Sequence, residues 1–156
     1  MITISNSSTV RESLIKIGAA NVYVLQSQPG GEGAAMAAAL RKGPSEQRQG
    51  FDPATGSVVH LVPDAAMGNI VPVVDCALVG IDTFDSAGAI LHKVGTLPLA
   101  LCCQRFGKPF YAAGHSFKFS NRESSGRPEP EKPLTEQSFD RTPAELITQI
   151  ITEQQD

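Results

Sequence analysis

Short polar side chains follow the first predicted strand, where backbone and side chains together could bind a phosphate. The strand predicted over residues 2–5 runs into a helical pattern in which Val10, Leu14 and Ile17 recur on one face. Because the first N–H groups of a helix lack internal partners, a Ser- and Asn-rich loop there can bind an anion. The same residue types also cap helices without any ligand, so both interpretations stay open. The loop residues are Ser5, Asn6, Ser7 and Ser8.

Further polar residues follow the later predicted strands. Asp82 comes after the apolar strand 76–79, and a carboxylate there could act as a general base or cap the next turn. Lys93 could pair with a phosphate, although most lysines are simply solvated. Glu32 and Asp64 could equally serve the helix starts beside them. The full set of candidate binding residues beyond the first loop is Gln28, Glu32, Asp64, His92, Lys93, His115 and Lys118.

The sequence gives little support for a metal site or for a serine hydrolase. The three histidines are far apart and no CxxC pair is present, so we expect no metal and no cofactor. No GxSxG elbow occurs, which argues against a Ser-His-Asp hydrolase. Three cysteines cannot build a disulfide framework, and we interpret them as small buried apolar residues.

The alternation of strands and helices predicts a Rossmann-like α/β fold, with a parallel sheet covered by helices on both faces in three layers. Ligands of such sheets bind outside the carboxyl ends of the strands, so the candidate residues should share one crevice. The further predicted strands cover residues 22–25, 58–62, 76–79 and 110–113, and predicted helices cover 34–40 and 96–106.

Two helix starts carry N-terminal signatures. Thr9 to Glu12 fits a capping box, and Thr142-Pro143-Ala144-Glu145 combines an N-cap, a proline at the first helical position and a capping glutamate. Apolar residues after the second signature recur on one helical face, which predicts a final amphipathic helix. These apolar residues are Leu146, Ile147, Ile150 and Ile151.

Length and composition bound the remaining possibilities. A chain of 156 residues is expected to form one domain, with surface loops at 41–57 and 120–136. The net charge of −3 argues against nucleic acid as a partner. The longest apolar run, residues 70–81, is too short and too interrupted to span a membrane. Without a signal-like N-terminus, and with an odd cysteine count, we expect a cytoplasmic location.

Seven collinear blocks resemble the C-terminal domain of the initiation factor 2B alpha, beta and delta subunits. That family also contains isomerases of methylthioribose 1-phosphate and of ribose 1,5-bisphosphate. The resemblance implies a Rossmann-like domain that pairs as a homodimer through this half of the protein. The blocks are ISNSSTV (4–10), VLQSQPGGEG (24–33), VPDAAMG (62–68), VDCALVGID (74–82), HKVGTLPLAL (92–101), KPFYAAGHSFKF (108–119) and FDRTPAELITQIITE (139–153).

The resemblance also implies roles for single residues. The family's "GAD" motif, whose Asp serves the isomerases' proton shuttle, falls on Gly80-Ile81-Asp82, and its "NKIGT" falls on residues 92–96. Three departures stand out: Gln28 replaces the family's Arg, His92 replaces its Asn, and His115 replaces the Glu before the SFKF block. The family's helical N-terminal domain, with the isomerases' Cys and further arginines, is not among the matched blocks.

Three functions follow as alternatives from these matches and departures. The first is a regulatory or binding module that recognises a sugar phosphate, a nucleotide or a protein partner in the crevice. The second is a minimal aldose–ketose phosphate isomerase using Asp82, which would need His92 or His115 as a second acid or base. The third is an assembly domain without a ligand, which would need a crevice filled by its own side chains.

Overall fold

The computed structural model describes residues 1–42, 58–120 and 137–153. In chain order the strands are β1 (Ile2–Thr3), β2 (Asn21–Leu25), β3 (Val58–Val62), β4 (Ala77–Gly80), β5 (Thr83–Asp85), β6 (Ile90–Lys93), β7 (Phe110–Ala113), β8 (Phe119–Ser120), β9 (Phe139–Thr142) and β10 (Gln149–Ile151). The α-helices are α1 (Ser8–Ile17), α2 (Glu32–Lys42), α3 (Met67–Ile70) and α4 (Thr96–Arg105).

The larger of two sheets is parallel and has six strands. Its order is β10-β7-β4-β1-β2-β3, and every pairing in it is parallel. This arrangement confirms the predicted α/β fold. β1 pairs with β2 on one side and with β4 on the other, so the chain first builds outward to β3 and then returns across β1.

Helices cover both faces of this sheet because successive strand residues point to opposite sides. Val79 of β4 packs in one buried cluster with Leu99 of α4. The next residue back, Leu78, packs in the other cluster with Leu14 of α1 and Met36 of α2. The two clusters form separate cores on the two faces, which gives the three-layer packing expected from the sequence.

A second, four-stranded sheet was not predicted. Its order is β8-β5-β6-β9; β6 pairs antiparallel with both β5 and β9, while β5 pairs parallel with β8. It draws its strands from the segments after β4 and β7 and from the chain before β10. Its strands have two to four residues each, too short for a clear alternating pattern.

Neither of the two predicted capping motifs caps a helix in the way the sequence predicts. α1 begins at Ser8, and the Ser7 hydroxyl accepts the Val10 N–H at 3.4 Å, so Ser7 and not Thr9 is the cap. The predicted final helix is wrong, because Ala144–Leu146 forms one 3-10 turn and the chain continues as β10. Ile150 pairs with Ala112 of β7, and this long-range pairing overrides a local pattern that fits either structure.

The predicted surface loops can be followed only at their ends. Residues 41 and 42 belong to α2, and Ser120 belongs to β8; the other residues of both loops lie outside the described residues. Within the described ranges, no helix is long and apolar enough to cross a membrane.

The Asp85 carboxylate of β5 ties β5 to β9 across β6, the strand that lies between them. One oxygen accepts the N–H groups of Ala87 and Ala89 at 3.1 and 3.0 Å, and the other accepts Arg141 Nη2 of β9 at 3.0 Å. Burial alone would raise the pKa of Asp85, but these hydrogen bonds outweigh it and hold the pKa below its ordinary value.

We expect Asp85→Asn to lower the free energy of unfolding by about 2 kcal/mol at pH 7, because it removes the charge that strengthens the hydrogen bonds to this buried carboxylate. A lowered carboxyl pKa contributes stability above the unfolded value of 3.8, and that contribution is lost as the pH falls through the folded pKa. Urea unfolding from pH 7 to pH 2 should therefore show the wild type converging on the variant. The exposed Asp75→Asn is the control, and an equal loss there would contradict this role.

Candidate functional site

A cavity of about 490 Å³ opens at the carboxyl ends of β1 and β4. In an open parallel sheet, loops on the two sides of a reversal in strand order diverge and leave a crevice. Here the loop after β1 and the loop after β4 lie on the two sides of that reversal. The cavity brings together ten of the residues singled out from the sequence, namely Ser5, Asn6, Ser7, Ser8, Glu32, Asp82, His92, Lys93, His115 and Lys118.

Two predicted binding residues do not line this cavity. The Asp64 carboxylate instead accepts the backbone N–H groups of Ser27 and Gln28, at 2.8 and 2.7 Å. Gln28 itself is exposed. Asp64 follows β3, which lies two strands away from β1, so distance along the sheet separates it from the crevice.

Asp82 and His92 form a close pair at one wall of the cavity. His92 Nδ1 lies 2.9 Å from Asp82 Oδ2, and the imidazole is only 6% exposed against 46% for the carboxylate. The hydrogen bond from His92 holds the pKa of Asp82 below its ordinary value; burial opposes this effect, and the charge of Lys118 supports it. Asp82 is therefore a carboxylate acceptor at neutral pH.

Both cavity lysines already have partners. Lys93 Nζ donates to Glu32 Oε1 at 2.9 Å, and Lys118 Nζ donates to the carbonyl oxygen of Ile81. Burial would raise the pKa of Glu32, but the hydrogen bond from Lys93, a backbone hydrogen bond and the charges of Lys93 and His92 together outweigh burial and lower the pKa. Glu32 stands at the first position of α2, where a carboxylate is also favoured by the helix dipole. Lys93 is 6% exposed, so its charge is compensated within the protein.

Two buried polar atoms of cavity residues lack a partner in the described part of the chain. They are Glu32 Oε2 and His92 Nε2. Buried polar atoms are normally hydrogen-bonded, and the exceptions need a reason. With His92 Nδ1 engaged by a carboxylate, both remaining atoms are hydrogen-bond acceptors.

The start of α1 supplies the donors. Ser7 accepts the N–H groups of Val10 and Arg11 through its hydroxyl and its carbonyl oxygen. The remaining N–H groups of the first helical turn are those of Ser8 and Thr9, and both residues line the cavity. Helix α1 has ten residues, long enough for its N-terminal dipole to favour an anion.

The start of α4, by contrast, is closed by a residue that sequence reasoning missed. The Asp140 carboxylate accepts the N–H groups of Gly95 at 2.8 Å and of Leu97 at 3.1 Å. Burial raises the pKa of Asp140 to about 6, although these hydrogen bonds favour its charged form. Asp140 lies opposite His92 in the pairing of β6 and β9, 45 residues beyond Gly95 in sequence, so no local signal could identify it.

Glu153, a second residue that sequence reasoning missed, holds the outer rim of the cavity. Glu153 accepts the Ser116 N–H at 2.9 Å and the Ser116 hydroxyl at 2.6 Å, and it lies 3.8 Å from His115 Nδ1. His115 stacks on Phe117, which lines the cavity and is 78% exposed. The rim therefore presents an aromatic surface beside the polar floor. In the sequence, a Phe between Ser116 and Lys118 does not by itself indicate an aromatic rim.

Glycine at position 80 allows the floor of the cavity to close. A Cβ added to Gly80 would lie 2.8 Å from Ser7 Cβ and 2.9 Å from His92 Cε1. Ser7 and His92 belong to different elements, so the absent side chain lets the start of α1 and the end of β6 meet over β4. Close packing thus explains why glycine occupies position 80.

Comparison with known proteins shows which family this chain belongs to. The family model described as "Initiation factor 2 subunit family" matches residues 1–132, and the chain belongs to that family. A Pyrococcus furiosus protein named as similar to subunit 2 of translation initiation factor eIF-2B is 32% identical over 140 residues, covering 85% of this chain and 46% of that protein. Ribose 1,5-bisphosphate isomerase of Archaeoglobus fulgidus is 33% identical over 115 residues, covering 63% of this chain and 37% of the enzyme.

Solved structures agree with these matches. The crystal structure of translation initiation factor eIF-2B from Pyrococcus horikoshii superposes with a TM-score of 0.76 at 29% identity, covering 96% of this chain and 55% of that one. The 5-methylthioribose 1-phosphate isomerase of the same organism shares the fold, with a TM-score of 0.72 at 23% identity over 97% of this chain and 49% of that one. The chain spans less than half the length of the curated relatives described above.

We expect Gly80→Ala to lower the free energy of unfolding by about 1–3 kcal/mol, because the new methyl group must displace Ser7 or His92. The displacement should also shift the His92 imidazole resonances. Gly68→Ala is the control: its Cβ would meet nothing within 4 Å, and alanine favours the helix there by up to about 1 kcal/mol. Urea unfolding and NMR measure both effects, and equal stabilities of the two variants would contradict the close packing.

Proposed function

We propose that this domain is a binding module that recognises a phosphorylated sugar in the cavity at the ends of β1 and β4. The observation that carries the proposal is the pair of unpartnered buried acceptors, Glu32 Oε2 and His92 Nε2, in a cavity that also contains a helix start and two lysines. A phosphate needs donors and positive charge, and sugar hydroxyls supply the hydrogens that these acceptors lack.

The arrangement suggests how a ligand would sit. Its phosphate would take the N–H groups of Ser8 and Thr9 and the hydroxyls of the loop after β1. Lys93 could reach an anion only by exchanging Glu32 for it, so binding replaces one charge pair with another. His92 and Glu32 would then accept hydrogen bonds from the sugar. The names of related enzymes, which include ribose 1,5-bisphosphate isomerase, support a ligand of this class.

An open cavity argues against an assembly domain without a ligand, which would need its own side chains in the crevice. Homodimer formation nevertheless stays a prediction beside ligand binding. Exposed apolar side chains supply a surface for it, namely Val73 in the turn before β4, Leu101 of α4 and Phe106 directly after α4. A protein partner and a regulatory role are likewise predictions of this proposal.

The contact between Asp82 and His92 favours aldose–ketose isomerisation as the second candidate function. That reaction needs one group to take a proton from carbon and another to protonate or polarise the sugar oxygen. The two side chains are 2.9 Å apart, so both roles could be filled at one place. The lowered pKa of Asp82 works against it, since a carboxylate stabilised as the anion is a weak base.

For binding, we expect opposite effects from the two members of the Lys93–Glu32 pair. With inorganic phosphate as the probe, Lys93→Met should weaken binding by about tenfold, because a charge-assisted hydrogen bond is lost. Glu32→Gln should strengthen it several-fold, because it removes the competing carboxylate. Titrations of 15N-labelled protein give both affinities and should place the shifted amides in the Ser5–Ser8 loop.

The control for this titration is Lys42→Met, a charge change on an exposed lysine at the end of α2. It should leave phosphate affinity unchanged. Absence of binding at millimolar phosphate, or weakening by both Glu32→Gln and Lys93→Met, would contradict the proposal.

For catalysis, we expect turnover of ribose 1,5-bisphosphate and of methylthioribose 1-phosphate below about 1 s⁻¹, the lower end of ordinary enzyme rates. The physical reason is the weak basicity of Asp82. Ketose formation followed by NMR checks it with wild type and Asp82→Asn. Turnover at or above that rate which disappears in Asp82→Asn would establish the isomerase in place of the binding module.

A further inference from the structure

A chain of hydrogen bonds crosses the ends of three neighbouring strands, from β3 through β2 to β1. The Asp64 carboxylate accepts the Ser27 N–H at 2.8 Å and the Gln28 N–H at 2.7 Å. The Ser27 hydroxyl donates to the carbonyl oxygen of Leu25 at 3.0 Å and accepts the Ser5 N–H at 2.7 Å. Ser5 lines the cavity, whereas Ser27 and Asp64 do not.

The two serines in this chain have an unusual backbone. Ser5 has φ 72° and Ser27 has φ 65°, and they are the two non-glycine residues with positive φ in the described part of the chain. Side chains disfavour this left-handed conformation, so it persists where surrounding contacts impose it, often at ligand sites. Ser27 is fully buried, and its hydroxyl is the group that holds the Ser5 N–H.

From this geometry we propose that Ser27, held by Asp64, is a positioning residue for the anion loop Ser5–Ser8. Its hydroxyl keeps Ser5 left-handed, and this conformation orients the backbone that enters α1. Asp64, which the sequence assigned to the ligand, acts on the site through Ser27. The inference rests on the proposed function, since it concerns the affinity of the same cavity for an anion.

The test compares phosphate affinity with the local protection of Ser5. Ser27→Ala removes the hydroxyl acceptor, and we expect phosphate binding weakened by about tenfold and exchange of the Ser5 amide proton accelerated by at least as much. Asp64→Ala removes the carboxylate and should weaken binding in the same direction. Because both act through Ser5, the double variant should lose little more than the greater of the two single losses.

Two further variants keep the result interpretable. Ser13→Ala removes a hydroxyl that donates to the Thr9 carbonyl oxygen within α1. Because Ser13 itself does not line this cavity, the variant should leave phosphate affinity unchanged. If Ser27→Ala does not fold, Ser27→Gly replaces it, since glycine adopts positive φ without penalty but still lacks the hydroxyl. The expected loss of affinity is the same.

The outcomes separate this inference from the proposed function. Wild-type protein that fails to bind phosphate would overturn both. Wild-type binding with Ser27→Ala or Ser27→Gly within twofold of it would overturn the positioning role alone, even if Ser5 exchanges faster. Additive losses in the double variant would overturn the coupled chain and leave two independent structural contributions.

Discussion

The place of β1 between β2 and β4 determines where the polar residues of this domain meet. Because the strand order reverses there, the loop after β1 turns to one side and the loop after β4 to the other. The start of α1 and Asp82 then line the same cavity. Side chains from β6, α2 and the segment after β7 enclose this cavity, and they are brought to it by the sheet and not by proximity in sequence.

Charge compensation is the second feature that shapes the cavity. Glu32 pairs with Lys93, Asp82 with His92, and Lys118 with a carbonyl oxygen, so the charged groups of the floor are partnered before any ligand arrives. Such pairs keep charges tolerable at low exposure, and they also mean that an anion must compete for its cations. The start of α4 offers no alternative place, because Asp140 already satisfies its N–H groups.

The small sheet explains how His92 and Lys93 reach the cavity. β6 lies between β5 and β9, and the Asp85–Arg141 contact connects these two neighbours. The cost of burying these two ionisable side chains at the end of a short strand is offset by their pairing with Asp82 and Glu32. Relatives named as translation factors and as isomerases share this fold, so differences in function between them depend on the site residues, as is general for widely used folds.

The sequence by itself determined the parallel sheet, the helices α1, α2 and α4, and the rule that polar residues after the strands collect at one edge. Apolar periodicity and the alternation of strands with helices along the chain are local signals. Tertiary structure decided the rest. Ile150 became part of a strand because β7 offered a partner; Asp140 and Glu153 act through contacts more than 30 residues away in sequence. Likewise, Asp64 bonds to Ser27 and does not line the cavity, and Ser5 is left-handed where Ser27 holds its N–H. Hydrogen bonds between separate loops leave no periodicity in a sequence.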